Sequence, residues 1–367
     1  MEPITQTSAG APPRRVSGRI PELDLLRFSA AAAVLLYHLC GFLKQPVRLQ
    51  LFTAYGFAGV HLFFMISGFV ILMTAERRTA AGFVVSRFAR LYPTFWTCLL
   101  VTTLALTAAG RAPGFLQWLA NLTMIPLAFG SEYVDHVYWS LVVELQFYAL
   151  ALGLLLIGQM ARIELWLFAW LCIGAASLVD GSGPLHTSVR LLALYPFGPL
   201  FMSGCYCYLL YSRGWAWRRI LPLCACCALS VVLAMVPVNS QWWLQAVAKQ
   251  WPQLGQLAAL RPLGALIVVF HLLFVGLALR WWRLPHWPLW ATLGSLTYPL
   301  YLLHDEIGYA LWPLLPFGPW LNLALEIALM LLLAALVAEL SEKRLHRWVL
   351  TRLNGVLERG RVQLVRS

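Results

Sequence analysis

Arg27 and His38 lie eleven residues apart in "LDLLRFSAAAAVLLYHLCGF", a run otherwise apolar enough to span a membrane as a helix. At 100° per residue, eleven steps return to within about 20° of the start, so both side chains share one face, about 16 Å apart along the axis. Asp24 falls on the same stripe and is placed for an i,i+3 pair with Arg27. An ionisable side chain at membrane depth costs several kcal/mol unless it faces a partner or a wet cavity, so this helix is read as lining a polar interior. A guanidinium suits a phosphate, which it grips bidentately. A neutral imidazole beside a carboxylate suits removal of a proton from a hydroxyl.

The same residue types recur elsewhere in the chain. In "YWSLVVELQFYAL", Ser140, Glu144 and Tyr148 are spaced i,i+4,i+8 on one helix face. Glu144 is the carboxylate expected to orient His38 or to stabilise its charged form. "LGSLTYPLYLLHDEIG" brings His304 to a comparable depth, a second choice for the base. At the opposite end Arg77, Arg78, Arg87 and Arg90 join Arg27. A guanidinium layer and a His/Glu layer roughly 16 Å apart fit a donor whose phosphates stay at one end while its reactive tip reaches the other. Acyl-coenzyme A has that shape, and Arg27, Arg77, Arg78, Arg87 and Arg90 are the residues expected to bind it. His38 either takes the proton of an acceptor hydroxyl or is itself acylated and hands the group on. No metal-ligand, Walker or Rossmann spacing is present, and no permanently bound cofactor is expected.

The elements that must position these groups follow from composition. The chain is 60% hydrophobic and 11% charged, with a mean hydropathy of +0.73, far from the profile of soluble domains. This predicts an all-α, polytopic integral membrane bundle. Windows of the length that crosses a ~30 Å hydrocarbon core fall at about 23–43, 53–73, 88–109, 139–158, 165–180, 189–211, 218–236, 262–280, 289–306 and 320–340. The segment 113–130, interrupted by Pro126, is read as interfacial or re-entrant. Ten spans put both termini in the cytoplasm. Most basic residues then lie in cytoplasmic segments, and the outer ones hold only Lys44, Arg48, Arg111, Arg190, Lys249 and Arg261. The net charge of +12 thus reflects topology and needs no nucleic acid. Residues 1–20 are polar and expected to be disordered, 21–340 form the transmembrane domain, and 341–367 form a basic cytoplasmic tail along the membrane surface. No signal peptide is expected. The eight cysteines sit in or beside apolar runs and are read as small buried residues. His271 and His286 are read as a packed and an interfacial histidine.

The same residues carry a family resemblance. "ELDLLRFSAAAAVLLYH", with Arg27 and His38, resembles the first helix of the acyltransferase 3 family of integral membrane O-acyltransferases, whose signature is an Arg, ten residues, then a His. "GVHLFFMISGFVI" is similar to its second-helix motif, "RFARLYPTFW" to its Arg-x-x-Arg-x-x-Pro segment at Arg87, Arg90 and Pro93, "WSLVVELQFY" to the motif that places the family glutamate at Glu144, and "LTYPLYLLH" to the late stretch with Tyr301 and His304. The resemblance implies transfer of an acyl group, often acetyl, from acyl-CoA to a hydroxyl of a polysaccharide, lipopolysaccharide or other envelope glycan, free or lipid-linked, in the bacterial inner membrane. Two positions depart from the pattern. His61 stands where the family usually has Asp, and Leu145 where many members have a second Glu. An extracytoplasmic hydrolase-like domain, which some members carry, is expected on a separate protein. A polytopic glycosyltransferase using a lipid-linked sugar is disfavoured because the loop "KQPVRLQLF" has no acid, and a transporter because no Gly/Pro-broken helices pair between halves.

Overall fold

The protein is described by a computed structural model that covers residues 19–41, 53–179, 183–236, 256–345, 348–353 and 355. The N-terminal segment expected to be disordered, the segments with Lys44, Arg48 and Lys249 expected as outer loops, and most of the expected cytoplasmic tail lie outside the described residues. Among the described residues all regular structure is helical. The helices are α1 (Pro21–Cys40), α2 (Gly59–Ala75), α3 (Ala80–Ala108), α4 (Phe115–Asn121), α5 (Trp139–Leu156), α6 (Ile163–Ala176), α7 (Pro184–Leu192), α8 (Gly198–Arg213), α9 (Trp217–Met235), α10 (Gln256–Ala278), α11 (Pro288–Leu311) and α12 (Pro319–Val337). Helices α1, α11 and α12 begin on proline, whose missing N–H falls among the unpaired donors of a first turn. The Thr79 hydroxyl caps α3 by accepting from the Gly82 N–H at 3.2 Å.

Seven helical stretches among the described residues are long and apolar enough to cross a membrane, those of α1, α2, α3, α5, α9, α10 and α12. The protein is a multi-pass helical membrane bundle. The other three expected spans take a different form. Window 165–180 becomes the 14-residue α6, about 21 Å long. Window 189–211 divides into α7 and the 16-residue α8, because the chain turns through Leu194, at φ +51°, and Pro196. Window 289–306 forms α11, long enough at 24 residues but carrying His304, Asp305 and Glu306 near one end. Helix α8 is buried along nearly its whole length and need not match the bilayer on its own, since neighbours satisfy its polar groups, whereas α6 and α7 stay largely exposed. The 113–130 segment contains the seven-residue α4 and a 3₁₀ turn at Pro126–Phe129. Seven residues rise only about 10 Å, so this segment does not span, as its composition indicates.

Small residues set the helix spacing. Helix α2 packs most extensively on α8, and α1 on α11. A Cβ on Gly204 of α8 would collide with the Met65 carbonyl oxygen of α2, and one on Gly68 of α2 with the Phe201 carbonyl oxygen of α8, so the two backbones touch through paired glycines, the association mode open to membrane helices. Gly294 of α11 likewise leaves room for the Asp24 carboxylate of α1. At one end, Glu76 pairs with Arg213, and Glu164 pairs with Arg218 at 2.8 Å and Arg219 at 2.9 Å, tying together α2, α6, α8 and α9. Gly204→Val is expected to force α2 from α8, with a cost at the upper end of the roughly 1–3 kcal/mol typical of overpacking. The check is thermal unfolding in detergent. A melting temperature equal to that of the native protein would refute the close-contact reading.

Candidate active site

His38 sits two residues before the end of α1, where α11 crosses it. Its Nδ1 lies 2.8 Å from Asp305 Oδ1. Asp305 is 3% exposed, so its charge has little solvent to share and the imidazole is its principal counterpart. The pair is an ion-pair approach and not a well-aligned hydrogen bond, since Asp305 Oδ1 has no hydrogen-bond partner of good geometry; a carboxylate this close favours the tautomer with the proton on Nδ1, which leaves Nε2 to accept one. The His304 ring packs edge-on against His38, with centroids 5.1 Å apart. His304 is fully buried, its Nδ1 lies 2.8 Å from the Tyr301 carbonyl oxygen, and it lines none of the cavities described below. It therefore supports the His38 ring from behind and is not placed to meet a substrate.

At the other end Arg27, Arg87 and Arg90 converge on one cavity together with Ser67, Glu144, Tyr148 and Tyr298. Arg27 lies 3.7 Å from Asp24, which also pairs with Arg19, as the i,i+3 spacing indicates. Glu144 accepts from Ser67 Oγ at 2.8 Å and from the Tyr148 hydroxyl at 2.6 Å. These bonds fix its carboxylate among the guanidinium groups, one oxygen carrying both hydroxyls.

Three cavities with shared lining residues lie between the two ends. A mouth between Arg19, Asp24, Arg27 and Arg90 shares Arg27, Val70, Arg90 and Gly294 with the arginine cavity. The arginine cavity shares Val60 and Tyr301 with a cavity that holds His38, His61, His136 and Asp305. The partition is polar. The Ser140 and Tyr301 hydroxyls lie 2.7 Å apart, and both bond the Val137 carbonyl, at 3.1 and 3.3 Å.

Two expectations are corrected. Glu144 does not orient His38; the carboxylate at that imidazole is Asp305. The cause is depth: Glu144 lies about 8 Å into α5, level with the arginine cavity, whereas His38 lies close to the end of α1. Arg77 and Arg78 are exposed in the turn after α2 and line none of the three cavities, since the chain leaves the bundle between α2 and α3. Of the other expected residues, Arg27, Arg87, Arg90 and Tyr148 line the arginine cavity, Asp24 lines the mouth, His38 lines the cavity beyond, and Ser140 and Tyr301 lie between. Asp305, Arg19 and Ser67 escaped sequence reasoning. For Asp305 a signal existed, since it directly follows His304 in "LLHDEIG". One residue is a 100° turn of the helix, and only the packing of α1 on α11 shows which of the two side chains meets His38 Nδ1.

This polytopic helical bundle places a guanidinium-lined cavity next to one that holds a histidine beside a carboxylate, groups whose chemistry suits an anion and a proton transfer. Residues 20–339 match the acyltransferase 3 family, described as an acyltransferase domain, and the chain belongs to that family of membrane acyltransferases. It is 32% identical over 161 residues to nodulation protein 10 of Rhizobium leguminosarum bv. viciae, an alignment covering 36% of this chain and 43% of that relative. The chain thus spans less than half the length of that protein. No solved structure matches.

Proposed function

We propose that the protein transfers an acyl group, in the first instance acetyl, from cytoplasmic acyl-CoA to a hydroxyl of an envelope glycan, working in the bacterial inner membrane. The observation that carries this reading is the series of cavities sharing lining residues from Arg19, Arg27 and Arg90 to His38 and Asp305. Arg27, Arg87 and Arg90 hold the phosphates, and the thin pantetheine arm passes the Ser140–Tyr301 partition so that the thioester reaches His38. There Nε2 takes the hydroxyl proton as the acceptor oxygen bonds to the thioester carbonyl carbon. The C–S bond then breaks, and the departing thiolate takes the proton back from the imidazolium. Asp305 keeps the imidazole oriented and offsets its charge while it carries that proton. Family membership places the chemistry among acyl transfers, which leaves the lipid-linked glycosyltransferase and transporter readings without support.

The test uses inverted membrane vesicles supplied with acetyl-CoA labelled in the acetyl group. Native protein should move label to envelope glycan. Arg27→Lys and Arg90→Lys keep the charge and lose the planar fork, and each should weaken acyl-CoA binding about tenfold, the effect of losing one charge-assisted bond. Unchanged affinity in both variants, or no label transfer by native protein, would refute the reading.

A further inference from the structure

Asp135 is fully buried in the loop that leads into α5, and it lines none of the cavities at the site. Its Oδ1 accepts the Val137 N–H at 3.1 Å, and its Oδ2 accepts the Glu306 N–H at 3.4 Å. The second of these residues follows Asp305 directly. The first supplies the carbonyl that both Ser140 and Tyr301 bond. A single buried side chain therefore ties the loop to the stretch of α11 that presents Asp305 to His38. The loop is held from its other side as well, where Asn121 of α4 donates to the Glu132 carbonyl at 2.9 Å and accepts the Val134 N–H at 3.0 Å. Burial and the neighbouring Asp305 push the Asp135 carboxyl well above the usual carboxylate range.

We infer that Asp135 is a positioning residue of the acyl transfer, clasping the loop to α11 so that the Asp305 carboxylate stays in register with His38. The inference rests on the functional reading above. Groups that bear on the His38 charge are Asp305 and His304 on α11, His61 on α2, His136 and Asp135 in the loop, Tyr37 on its own helix, and the Arg111–Glu306 pair at 3.1 Å beyond them. When Asp305 swings out of register, the imidazolium loses its closest anion. The acidic limb of the turnover profile then moves down.

The experiment measures turnover per acyl-CoA-binding site, KM for acyl-CoA, and the pH profile for native protein, Asp135→Asn and Asp135→Ala. Native transfer from acyl-CoA tests the functional reading by itself, and its absence would remove that reading before either variant is considered. For Asp135→Ala, turnover should fall roughly 10- to 100-fold, as a misplacement on the ångström scale does. Its KM should stay within about twofold and its acidic limb should move down by about half a pH unit or more, a tenfold change in proton affinity being one unit. Asp135→Asn keeps one acceptor oxygen and should recover most of the turnover. An Asp135→Ala protein with native turnover would overturn the proposal. So would one whose turnover falls while the acidic limb stays in place, because a merely structural defect has that signature. Should Asp135→Ala fail to bind acyl-CoA, Asp135→Asn decides through the same limb: a shift smaller than that of Asp305→Asn supports the clasp, and an equal shift overturns it.

Discussion

His38→Ala is expected to lower turnover by roughly 10²–10⁴-fold, the range for losing a positioned general base, while acyl-CoA binding stays near native. The separation follows from the architecture. The arginine cavity and the His38 cavity share Val60 and Tyr301, and His38 is absent from the former, so the groups proposed to hold phosphate do not depend on the imidazole. A parallel measurement of transfer and of acyl-CoA binding on the same membranes makes the check. Full activity in His38→Ala would overturn the mechanism. An acyl adduct trapped on His38 would show that the group passes through the imidazole in two steps, the hydroxyl then attacking the acyl-imidazole carbonyl and returning the nitrogen to its neutral form. Either route begins with a neutral ring, so activity should fall on acidification.

Asp305→Asn should cost a comparable amount, roughly 10²–10⁴-fold in turnover, because the volume is kept while the orienting anion is lost. An amide can present its NH₂ to His38 Nδ1, which then becomes the acceptor and leaves the proton on Nε2, the nitrogen that must be bare to receive one. Loss of the nearby charge also makes the imidazolium harder to form. The remaining activity should therefore persist to lower pH than in the native protein. The measurement is the pH profile of turnover alongside acyl-CoA affinity. Native turnover in Asp305→Asn would return the orienting role to another group, and an unmoved acidic limb would deny the electrostatic link between the two residues. Glu144→Asn offers the contrast. Its carboxylate is bonded to Ser67 and Tyr148 among the arginines, so the change should act on donor binding and leave the acidic limb in place.

Composition and spacing along the chain are enough to indicate the bundle and the Arg27 and His38 positions. Mean hydropathy and window length are properties of the chain alone, and in lipid a backbone with no water to bond has little choice but to form helices. That is why the helices were legible before their packing was known. Arg27 and His38 were legible for a related reason, since their spacing within one helix fixes face and separation without any tertiary contact. The i,i+3 pair of Asp24 with Arg27 belongs to the same class. The tertiary structure alone decided which carboxylate serves the histidine. Glu144 and Asp305 are both acids on long apolar helices, and a count along the chain ranks them only by assumed depth. Choosing between them requires how far α5 and α11 extend past α1 and how each is rotated, quantities set by interhelical contact at Gly294, Gly308 and the Asp135 loop. The removal of Arg77 and Arg78 from the site has the same origin. Charge type follows from the residue, but whether a charge faces a cavity or the solvent depends on where the chain turns out of the bundle.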